Sequence, residues 1–392
     1  MAAVHLFRWF VLLPALAPLV YYCLAAYSGF TYFRCLRKLP PLDRSFTPPV
    51  SILKPVRGLD HQAYENFASF CHVDYPDYEI LFAVADTDDP VIPVIENLKK
   101  NFPQQAIRLI VGVEQLGITL KTNSLVRLAQ EAKHELLVIN DSDVRVEEDY
   151  LRDVVASFAD SKVGCVTAFF RGMTEGGFVA DVDAVGVPTD SSASTLVART
   201  LGNMDFALGW TMATTKTRLA EIGGFQSLVN HHSDDFALGN EISKRGYRIE
   251  IMRKPVWMVF PRETLRDFFK HELRWSILLK NLRPWGYAAM VMTFGLPWAV
   301  LVALVVPSFA VALSYFAAYL VLRLAVAWTI GVWGLQDPVV RTRIWLVPVR
   351  DALNFCVYVA SFFSNTVRWR GVAYRVQGRS FVPLGARPRH DG

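Results

Sequence analysis

The sequence predicts an α/β fold in which helices flank a mostly parallel sheet, with transmembrane helices at both ends of the chain. Short apolar runs alternate with helical stretches through the middle of the chain. Segments apolar enough to cross a bilayer are confined to the two ends. Several of the middle runs end in carboxylates, and the carboxyl ends of parallel strands are where such sheets bind ligands.

The composition separates a membrane part from a soluble part. Of the 392 residues, 52% are apolar and only 20% are charged, and the mean hydropathy is +0.25; soluble domains average about 25% charged residues. We therefore expect an N-terminal anchor over 1–47, a soluble domain over 48–285, and membrane segments with a basic tail over 286–392.

Charge and cysteine content restrict the partners. The net charge of +5 comes from basic residues beside the apolar segments, which favours contact with a lipid bilayer. No basic run is interleaved with aromatic residues, so we expect no nucleic-acid partner. The five cysteines are scattered without metal-binding spacing, which is typical of a reducing compartment.

The first apolar segment, 9–33, is long enough to span a bilayer. Arg34, Arg37 and Lys38 follow it, whereas only Arg8 precedes it. By the positive-inside rule, the soluble domain is expected to face the cytosol.

The C-terminal part predicts two more spans, 287–306 and 309–333. The segment 345–366 is ambiguous because it carries Arg350 and Asp351, and a charge at mid-bilayer costs about 2.5–3.5 kcal/mol. We expect this segment to be re-entrant or interfacial, which would leave the basic tail in the cytosol.

The soluble part predicts a succession of strands and helices. The strands are expected at 49–55, 78–85, 107–111 and 135–139. The helices are expected at 64–70, 121–132, 235–245 and 264–279. The stretch 173–194 is rich in Gly, Asp, Ser and Thr, and it predicts a long, mobile loop.

Asp141 and Asp143 are the sharpest candidate site. They follow the apolar run of residues 136–139 as a D-x-D pair. Cations of the magnesium class bind one or two carboxylates together with substrate phosphates. The alternative is a plain turn in which the aspartates cap the end of a strand.

Candidate donor-binding residues follow the first two predicted strands. Pro55 and Arg57 end the first strand, and Asp86 and Asp88 follow the second. Carboxylates there could bind the ribose or base of a nucleotide; the alternative is a polar turn before Pro90.

Further candidate site residues lie at the starts of two predicted helices. Lys121 and Asn123 could neutralise phosphate charge, although a solvated helix start is the alternative. Asp234 and Asp235 open a helix, where the helix dipole favours a carboxylate. One aspartate could cap the helix while Asp235 acts as a general base.

The amphipathic helix 264–279 carries His271, Arg274 and Trp275. An arginine can bind a leaving diphosphate with two hydrogen bonds, and a tryptophan can stack on an acceptor. The alternative is a juxtamembrane helix with an interfacial tryptophan.

In this order the motifs resemble the inverting glycosyltransferases of the GT-A fold, and particularly the ceramide glucosyltransferase family. The stretches that carry the resemblance are Asp86-Thr87-Asp88-Asp89-Pro90, Gly117-Ile118 through Lys121 and Asn123 to Leu125, Asp141-Ser142-Asp143, and Asp235-Phe236 leading to Arg245-Gly246-Tyr247-Arg248. Together with the apolar ends, they cover most of the chain.

The resemblance implies a UDP-sugar donor, a divalent cation (Mg²⁺ or Mn²⁺) and a membrane lipid acceptor. It also implies a bacterial inner membrane or, in a eukaryote, the cytosolic face of the Golgi or endoplasmic reticulum. The implied roles are uridine contact for Asp86, metal–diphosphate binding for Asp141 and Asp143, the base for Asp235, and assistance to leaving group and acceptor for Arg274 and Trp275.

One residue departs from the family pattern, in which Gln or Arg stands at the position of His271. Polymer synthases of this fold use Gln there to hold a growing chain, so His271 favours single transfer to a lipid. Ceramide glucosylation from UDP-glucose is the expected reaction. A hopanoid or diacylglycerol glycosyltransferase, for example one using UDP-N-acetylglucosamine, and a non-catalytic membrane-anchored binding or scaffold protein are the alternatives.

Overall fold

A computed structural model describes residues 2–369 and 372–384. The chain divides into two compact units. The sheet unit comprises Lys38–Met173 and Asn203–Val259. The helical unit comprises Met1–Arg37, Thr174–Gly202 and Phe260–Gly392, as far as these residues are described. The segments 174–202 and 260–285 therefore group with the chain ends, whereas the sequence places them in the soluble domain.

The strands are short, as the apolar runs predict. They are β1 (Val50–Val56), β2 (Tyr78–Val84), β3 (Ala106–Val111), β4 (Leu136–Asn140), β5 (Val144–Arg145), β6 (Val163–Thr167), β7 (Phe170–Thr174), β8 (Thr211–Thr215), β9 (Arg248–Ile251), β10 (Val256–Phe260), β11 (Thr366–Trp369), β12 (Val372–Gln377) and β13 (Ser380–Pro383).

The α-helices include the long apolar ones of the chain ends. They are α1 (Ala2–Leu36), α2 (Ala63–Cys71), α3 (Ile92–Asn101), α4 (Leu120–Glu131), α5 (Tyr150–Ala156), α6 (Phe178–Thr200), α7 (Lys216–Glu221), α8 (Asp234–Lys244), α9 (Leu265–Leu282), α10 (Pro284–Ala289), α11 (Gly295–Val305), α12 (Phe309–Ala327), α13 (Pro338–Arg343) and α14 (Val347–Ser361).

The main sheet has the strand order β3-β2-β1-β4-β8-β6-β9. The strands β3, β2, β1 and β4 are parallel, β8 runs antiparallel to β4 and β6, and β9 is parallel to β6. The predicted α/β class with a mostly parallel sheet is therefore confirmed. The carboxyl ends of β2, β1 and β4 lie side by side at one edge, and the start of β8 joins them because Thr211 pairs with Asn140.

The core of the sheet unit fixes this edge. Leu53, Leu81 and Leu137 on the central strands are fully buried, and Leu125 and Leu128 of α4 belong to the same apolar cluster. Truncating one such leucine to alanine typically costs about 2–5 kcal/mol. The strands cannot slide past each other without exposing these side chains, so the residues that follow them have fixed positions.

The predicted loop over 173–194 is wrong, because α6 occupies most of it. Its polar residues have partners that the sequence does not reveal. The Thr189 hydroxyl donates to the Val185 carbonyl at 2.8 Å, and Asp183 pairs with Arg350 at 2.9 Å. Low helix propensity is thus overridden by burial and by charged partners from distant parts of the chain.

Three helices of the described chain are long and apolar enough to cross a membrane: Leu12–Leu36, Phe309–Gly334 and Pro338–Ser361. The segment expected to span at 287–306 is instead broken, because Pro284–Thr293 and Gly295–Val305 meet at a bend of 57° and pass the same test only together. The predicted span over 287–306 therefore stays a prediction, carried by two helices that meet at a bend.

The segment 345–366, expected to be re-entrant or interfacial, overlaps the candidate span Pro338–Ser361 over residues 345–361. Its charges are paired: Arg350 contacts Asp183 at 2.9 Å, and Asp351 contacts Arg323 at 2.9 Å. Ion pairing lowers the free-energy cost of placing these charges in a bilayer, and that cost was the reason to expect a segment that does not cross. The re-entrant or interfacial placement of the segment stays a prediction, and the same residues are long and apolar enough for a crossing.

Candidate functional site

The carboxyl edge of the main sheet brings together the residues that follow β1 and β2. Arg57 Nε lies 3.3 Å from Asp86 Oδ2, and both side chains are partly exposed. Asp88 is exposed in the same loop, whereas Pro55 is buried within β1. Arg57, Asp86 and Asp88 are therefore accessible to a ligand, and Pro55 shapes the end of its strand.

Asp89, in the same run of acidic residues, has a structural role. It is 6% exposed, and its carboxylate accepts hydrogen bonds from the backbone N–H of Gly58 at 2.8 Å and of Val91 at 3.0 Å. Asp89 thus ties the loop after β1 to the loop after β2, whereas Asp86 and Asp88 are the exposed aspartates of the run.

Asp141, Ser142 and Asp143 follow β4 and carry the second acidic group of this edge. Asp141 Oδ1 pairs with Lys121 Nζ at 2.8 Å. The Ser142 hydroxyl donates to Asp60, which the sequence did not single out. Asp143 Oδ1 is shielded from solvent and has no hydrogen-bond partner within residues 2–369 and 372–384.

The electrostatics of this group indicate that its carboxylates carry more negative charge than the neighbouring cations neutralise. Burial and the neighbouring carboxylates of Asp141 and Asp60 raise the pKa of Asp143 to about 7. A buried carboxylate with an unpartnered oxygen is costly unless a cation neutralises it. Asp141 and Asp143 therefore fit a divalent cation, which favours carboxylate oxygens.

Lys54 is a site residue that sequence reasoning missed. It is fully buried on β1, its Nζ donates to the Asp141 carbonyl at 3.1 Å, and it stands 3.7 Å from the centre of the Phe70 ring. Burial lowers its pKa to about 7, against the pull of Asp143 and Asp141. A lysine inside an otherwise apolar strand was the signal that could have revealed it.

Lys121, at the start of α4, connects the D-x-D pair to α8. Its Nζ contacts Asp141 at 2.8 Å and Asp234 at 3.1 Å. Burial disfavours the ammonium, but the carboxylates of Asp141, Asp234 and Asp235 outweigh that effect and raise its pKa. Lys121 is therefore a positive charge held between two carboxylates, and its contact with phosphate stays a prediction.

Asp235 lies next to this lysine on the first turn of α8. Its Oδ1 accepts from the Phe236 N–H at 2.7 Å, and a Cβ on Gly209 would lie 3.1 Å from its Oδ2. Burial and the adjacent Asp234 raise the pKa of Asp235 to about 7, although Lys121 opposes them. A carboxyl group with this pKa can accept a proton near neutral pH.

Hydrogen bonds between distant segments place α8 at the edge of the sheet. The Thr119 N–H donates to the Val229 carbonyl at 2.9 Å, and the Thr119 hydroxyl donates to the His231 carbonyl at 2.8 Å. Gly117 lies against Val229 so closely that a Cβ would come within 2.6 Å of it. The glycine therefore permits the contact that brings Asp234 to Lys121.

Asn123 holds the loop before α4. Its Oδ1 accepts from the Gly117 N–H and its Nδ2 donates to the Gly117 carbonyl, both at 2.9 Å. Asn123 is 2% exposed. Both polar groups of the amide are thus engaged by the backbone, so direct phosphate contact by Asn123 stays a prediction, whereas its positioning role is visible.

Replacing Asn123 by alanine should lower the free energy of unfolding by about 1–3 kcal/mol, because Gly117 would lose both buried partners. The KM for the donor should also rise, since the loop leads into the first turn of α4, which carries Lys121. Denaturant unfolding in detergent measures the first effect. Asn101→Ala is the control, because Asn101 is exposed and its side chain donates to the Tyr64 hydroxyl; equal changes in both variants would contradict the assignment.

In the helical unit, α9 carries His271, Arg274 and Trp275. The Trp275 indole N–H donates to His271 Nε2 at 2.9 Å, and the Arg274 guanidinium lies 5.9 Å from the Trp275 ring centre. Trp275 is 49% exposed. Desolvation and the charge of Arg274 lower the pKa of His271, which keeps the ring neutral at pH 7.

His271 also belongs to a group whose shape suits a metal ion. Ligand atoms of Asp183, His271 and Glu272 lie within 4.8 Å of one another. Arg350, however, contacts Asp183 Oδ1 at 2.9 Å and Glu272 Oε2 at 2.8 Å. The guanidinium already supplies positive charge to both carboxylates, so Asp141 and Asp143 are the better candidates for a cation.

The architecture identifies the fold. A mostly parallel sheet flanked by helices, with acidic residues at its carboxyl edge, is the architecture expected for a glycosyltransferase with a GT-A-like fold. One solved structure, a mannosyltransferase from Pyrobaculum calidifontis in complex with GDP-Man and Mn²⁺, superimposes with a TM-score of 0.53. It is 19% identical and the match covers 90% of this chain and 99% of that one, so it establishes the fold.

The chain belongs to glycosyl transferase family 21, whose family model matches residues 8–381. The predicted family is thereby confirmed. The relatives include ceramide glucosyltransferase 3 and ceramide glucosyltransferase 1 of Caenorhabditis elegans, which are 27% and 25% identical over 67% and 64% of this chain. The matches span 60% and 56% of the length of those two relatives. In the described part of the chain, the apolar helices of both chain ends could span a membrane by length and composition.

Proposed function

We propose that this protein transfers glucose from UDP-glucose to the primary hydroxyl of ceramide, with inversion at the anomeric carbon. The observation that carries the proposal is Lys121, which pairs with Asp141 of the D-x-D pair and with Asp234, the residue that precedes Asp235 on α8. Family membership and the similarity to ceramide glucosyltransferases support the choice of donor and acceptor.

In the proposed reaction, Asp235 accepts the proton of the lipid hydroxyl as that oxygen attacks the anomeric carbon. The bond between the sugar and the diphosphate breaks, and UDP leaves. Asp235 has the raised pKa that this step needs. Attack opposite to an α-linked diphosphate yields a β-glycoside.

The donor would be bound at the carboxyl edge of the main sheet. Asp86 and Asp88 would contact the uridine, Arg57 would hold the Asp86 carboxylate in place, and Lys121 would face the diphosphate. Asp141 and Asp143 would hold Mg²⁺ or Mn²⁺. When bound, the cation would neutralise the charge that develops on the leaving diphosphate.

Arg274 and Trp275 are proposed to assist the leaving group and the acceptor. This assignment comes from the family resemblance, and the exposed indole of Trp275 supports it, since a flat apolar surface suits a lipid. The basic residues Arg34, Arg37 and Lys38 at and just after the end of α1 support a cytosolic catalytic domain. Protease digestion of the sheet unit in sealed vesicles of known orientation would test that orientation.

The rate of the chemical step should rise with pH through about 7. Asp235 must be deprotonated to act as a base and its pKa is raised to about 7, so kcat should fall about tenfold per pH unit below that value. The measurement is kcat at saturating donor, cation and acceptor, with donor affinity determined separately at each pH. A flat kcat between about pH 5.5 and pH 8 would contradict the role of Asp235.

Product analysis tests the proposed substrates. The purified protein is incubated with Mg²⁺ or Mn²⁺, a panel of UDP-sugars, and ceramide, diacylglycerol or a hopanoid, and the lipids are identified by mass spectrometry. Hexosylceramide from UDP-glucose is the expected product. A glycosylated hopanoid or diacylglycerol alone would replace ceramide as the acceptor, and UDP binding without transfer to any lipid would point to a binding protein.

A further inference from the structure

A buried arginine of the helical unit lies at the centre of a polar cluster that the proposed reaction does not use. Arg350, on α14, is 3% exposed. Its Nη1 contacts Asp183 Oδ1 of α6 at 2.9 Å, and its Nη2 contacts Glu272 Oε2 of α9 at 2.8 Å. One guanidinium therefore joins three helices that are distant in sequence.

The backbone of α6 is shaped to accept this arginine. A Cβ on Gly186 would lie 2.2 Å from Arg350 Nε and 2.6 Å from its Cζ. The guanidinium also lies 4.9 Å from the centre of the Phe268 ring of α9. Only glycine at position 186 leaves room for the guanidinium, so its orientation toward Glu272 is fixed by packing as well as by charge.

The fixed Glu272 carboxylate faces the next residue of the cluster. Glu272 Oε1 lies 3.8 Å from His271 Nδ1. His271 Nε2 accepts the Trp275 indole N–H at 2.9 Å, with the two rings edge to face at 90°. Because Nε2 accepts, the proton of the neutral ring belongs on Nδ1, which points toward the carboxylate.

We propose that Arg350, Glu272 and His271 are positioning residues that hold the exposed indole of Trp275 in one orientation for the lipid acceptor. The inference rests on the proposed function, which assigns Trp275 to the acceptor. It also gives His271 a role: the Glu272 charge, 3.8 Å from Nδ1, favours the proton on that nitrogen, so Nε2 is the single acceptor atom that the neutral ring presents to the indole.

The test is a comparison of substitutions at position 271 by steady-state kinetics with ceramide and UDP-glucose. His271→Leu removes the acceptor atom and should raise the KM for ceramide about five- to tenfold, as expected for one lost hydrogen bond. The KM for UDP-glucose should stay within about twofold of the wild-type value. His271→Gln should restore the KM for ceramide, because its carbonyl oxygen can accept the indole N–H.

Substitutions around Arg350 test the remainder of the cluster. Arg350→Met and Gly186→Ala should both raise the KM for ceramide, and Gly186→Ala does so with every charge retained. Ser194→Ala is the matched control, because Ser194 is exposed on α6, the helix that carries Gly186. Size-exclusion chromatography and UDP binding identify the variants that are folded. If Arg350→Met does not fold, the comparison of His271→Leu with His271→Gln tests the proposal.

The proposal is overturned if folded His271→Leu leaves the KM for ceramide unchanged, if both substrates are affected equally, or if His271→Gln does not restore the value. Failure of the proposed function is a different result, because the wild-type protein would then form no hexosylceramide. The two failures are therefore distinguishable in one set of assays.

Discussion

Replacing Asp235 by asparagine is expected to lower kcat by about 10²- to 10⁴-fold, which is the usual contribution of a positioned general base. Asparagine has nearly the same shape but cannot accept the proton of the lipid hydroxyl. The amide can still accept the Phe236 N–H that now bonds to the Asp235 carboxylate at 2.7 Å, so α8 should keep its start. Initial rates of hexosylceramide formation provide the measurement.

The affinity for UDP should be nearly unchanged in Asp235→Asn, because the proposed donor contacts lie on other residues. Glu241→Gln is the matched control: it removes a carboxylate from the same helix, where Glu241 pairs with the solvent-exposed Lys244 at 2.6 Å. The control should retain wild-type activity. Retention of full activity by Asp235→Asn would rule out the proposed base.

Replacing Asp143 by alanine is expected to abolish the cation dependence of donor binding. The Asp143 carboxylate is surrounded by Asp141, Asp60 and the buried Lys54, and its pKa is raised to about 7 by burial and by its acidic neighbours. Without it, the D-x-D pair offers a single carboxylate. Calorimetric titration of UDP with and without Mn²⁺ or Mg²⁺ measures the effect.

Asp143→Asn is the companion variant, because it keeps the volume of the side chain and removes its charge. Asp160→Asn is the control: Asp160 is exposed in the sheet unit and pairs with Arg248. The control should titrate as the wild type does, whereas both Asp143 variants should bind UDP equally with and without the cation. An unchanged cation dependence in the Asp143 variants would contradict the assignment.

Local sequence patterns were sufficient to predict the strands that carry the proposed donor-binding residues at their ends. The apolar runs ending near Val56, Val84 and Asn140 are short and bounded by turn residues, and they form the parallel strands β1, β2 and β4. Residues after parallel neighbours must lie at one edge, and the Arg57–Asp86 pair at 3.3 Å agrees with this. Asp141 and Lys121, both predicted site residues, are likewise in contact.

What the sequence did not reveal depends on contacts between distant segments. The stretch 173–194 has the composition of a loop, and it forms α6 because Arg350 and Arg323 neutralise its aspartates. In the sequence, Lys54 is a single lysine in a mostly apolar strand. Only the folded chain shows that its Nζ lies 3.1 Å from the carbonyl oxygen of Asp141, which follows β4. Composition and periodicity carry no information about such pairings, which only the folded chain creates.

The central claim is that a carboxylate-lined edge of the main sheet transfers glucose from UDP-glucose to ceramide with inversion. The most direct test is the anomeric configuration of the glycolipid formed by the purified protein, determined by proton NMR, with Asp235→Asn as the inactive reference. We expect the wild-type protein to form β-glucosylceramide, and we expect Asp235→Asn to form it at a rate about 10²- to 10⁴-fold lower. An α-linked product, or equal rates from the two proteins, would contradict the claim.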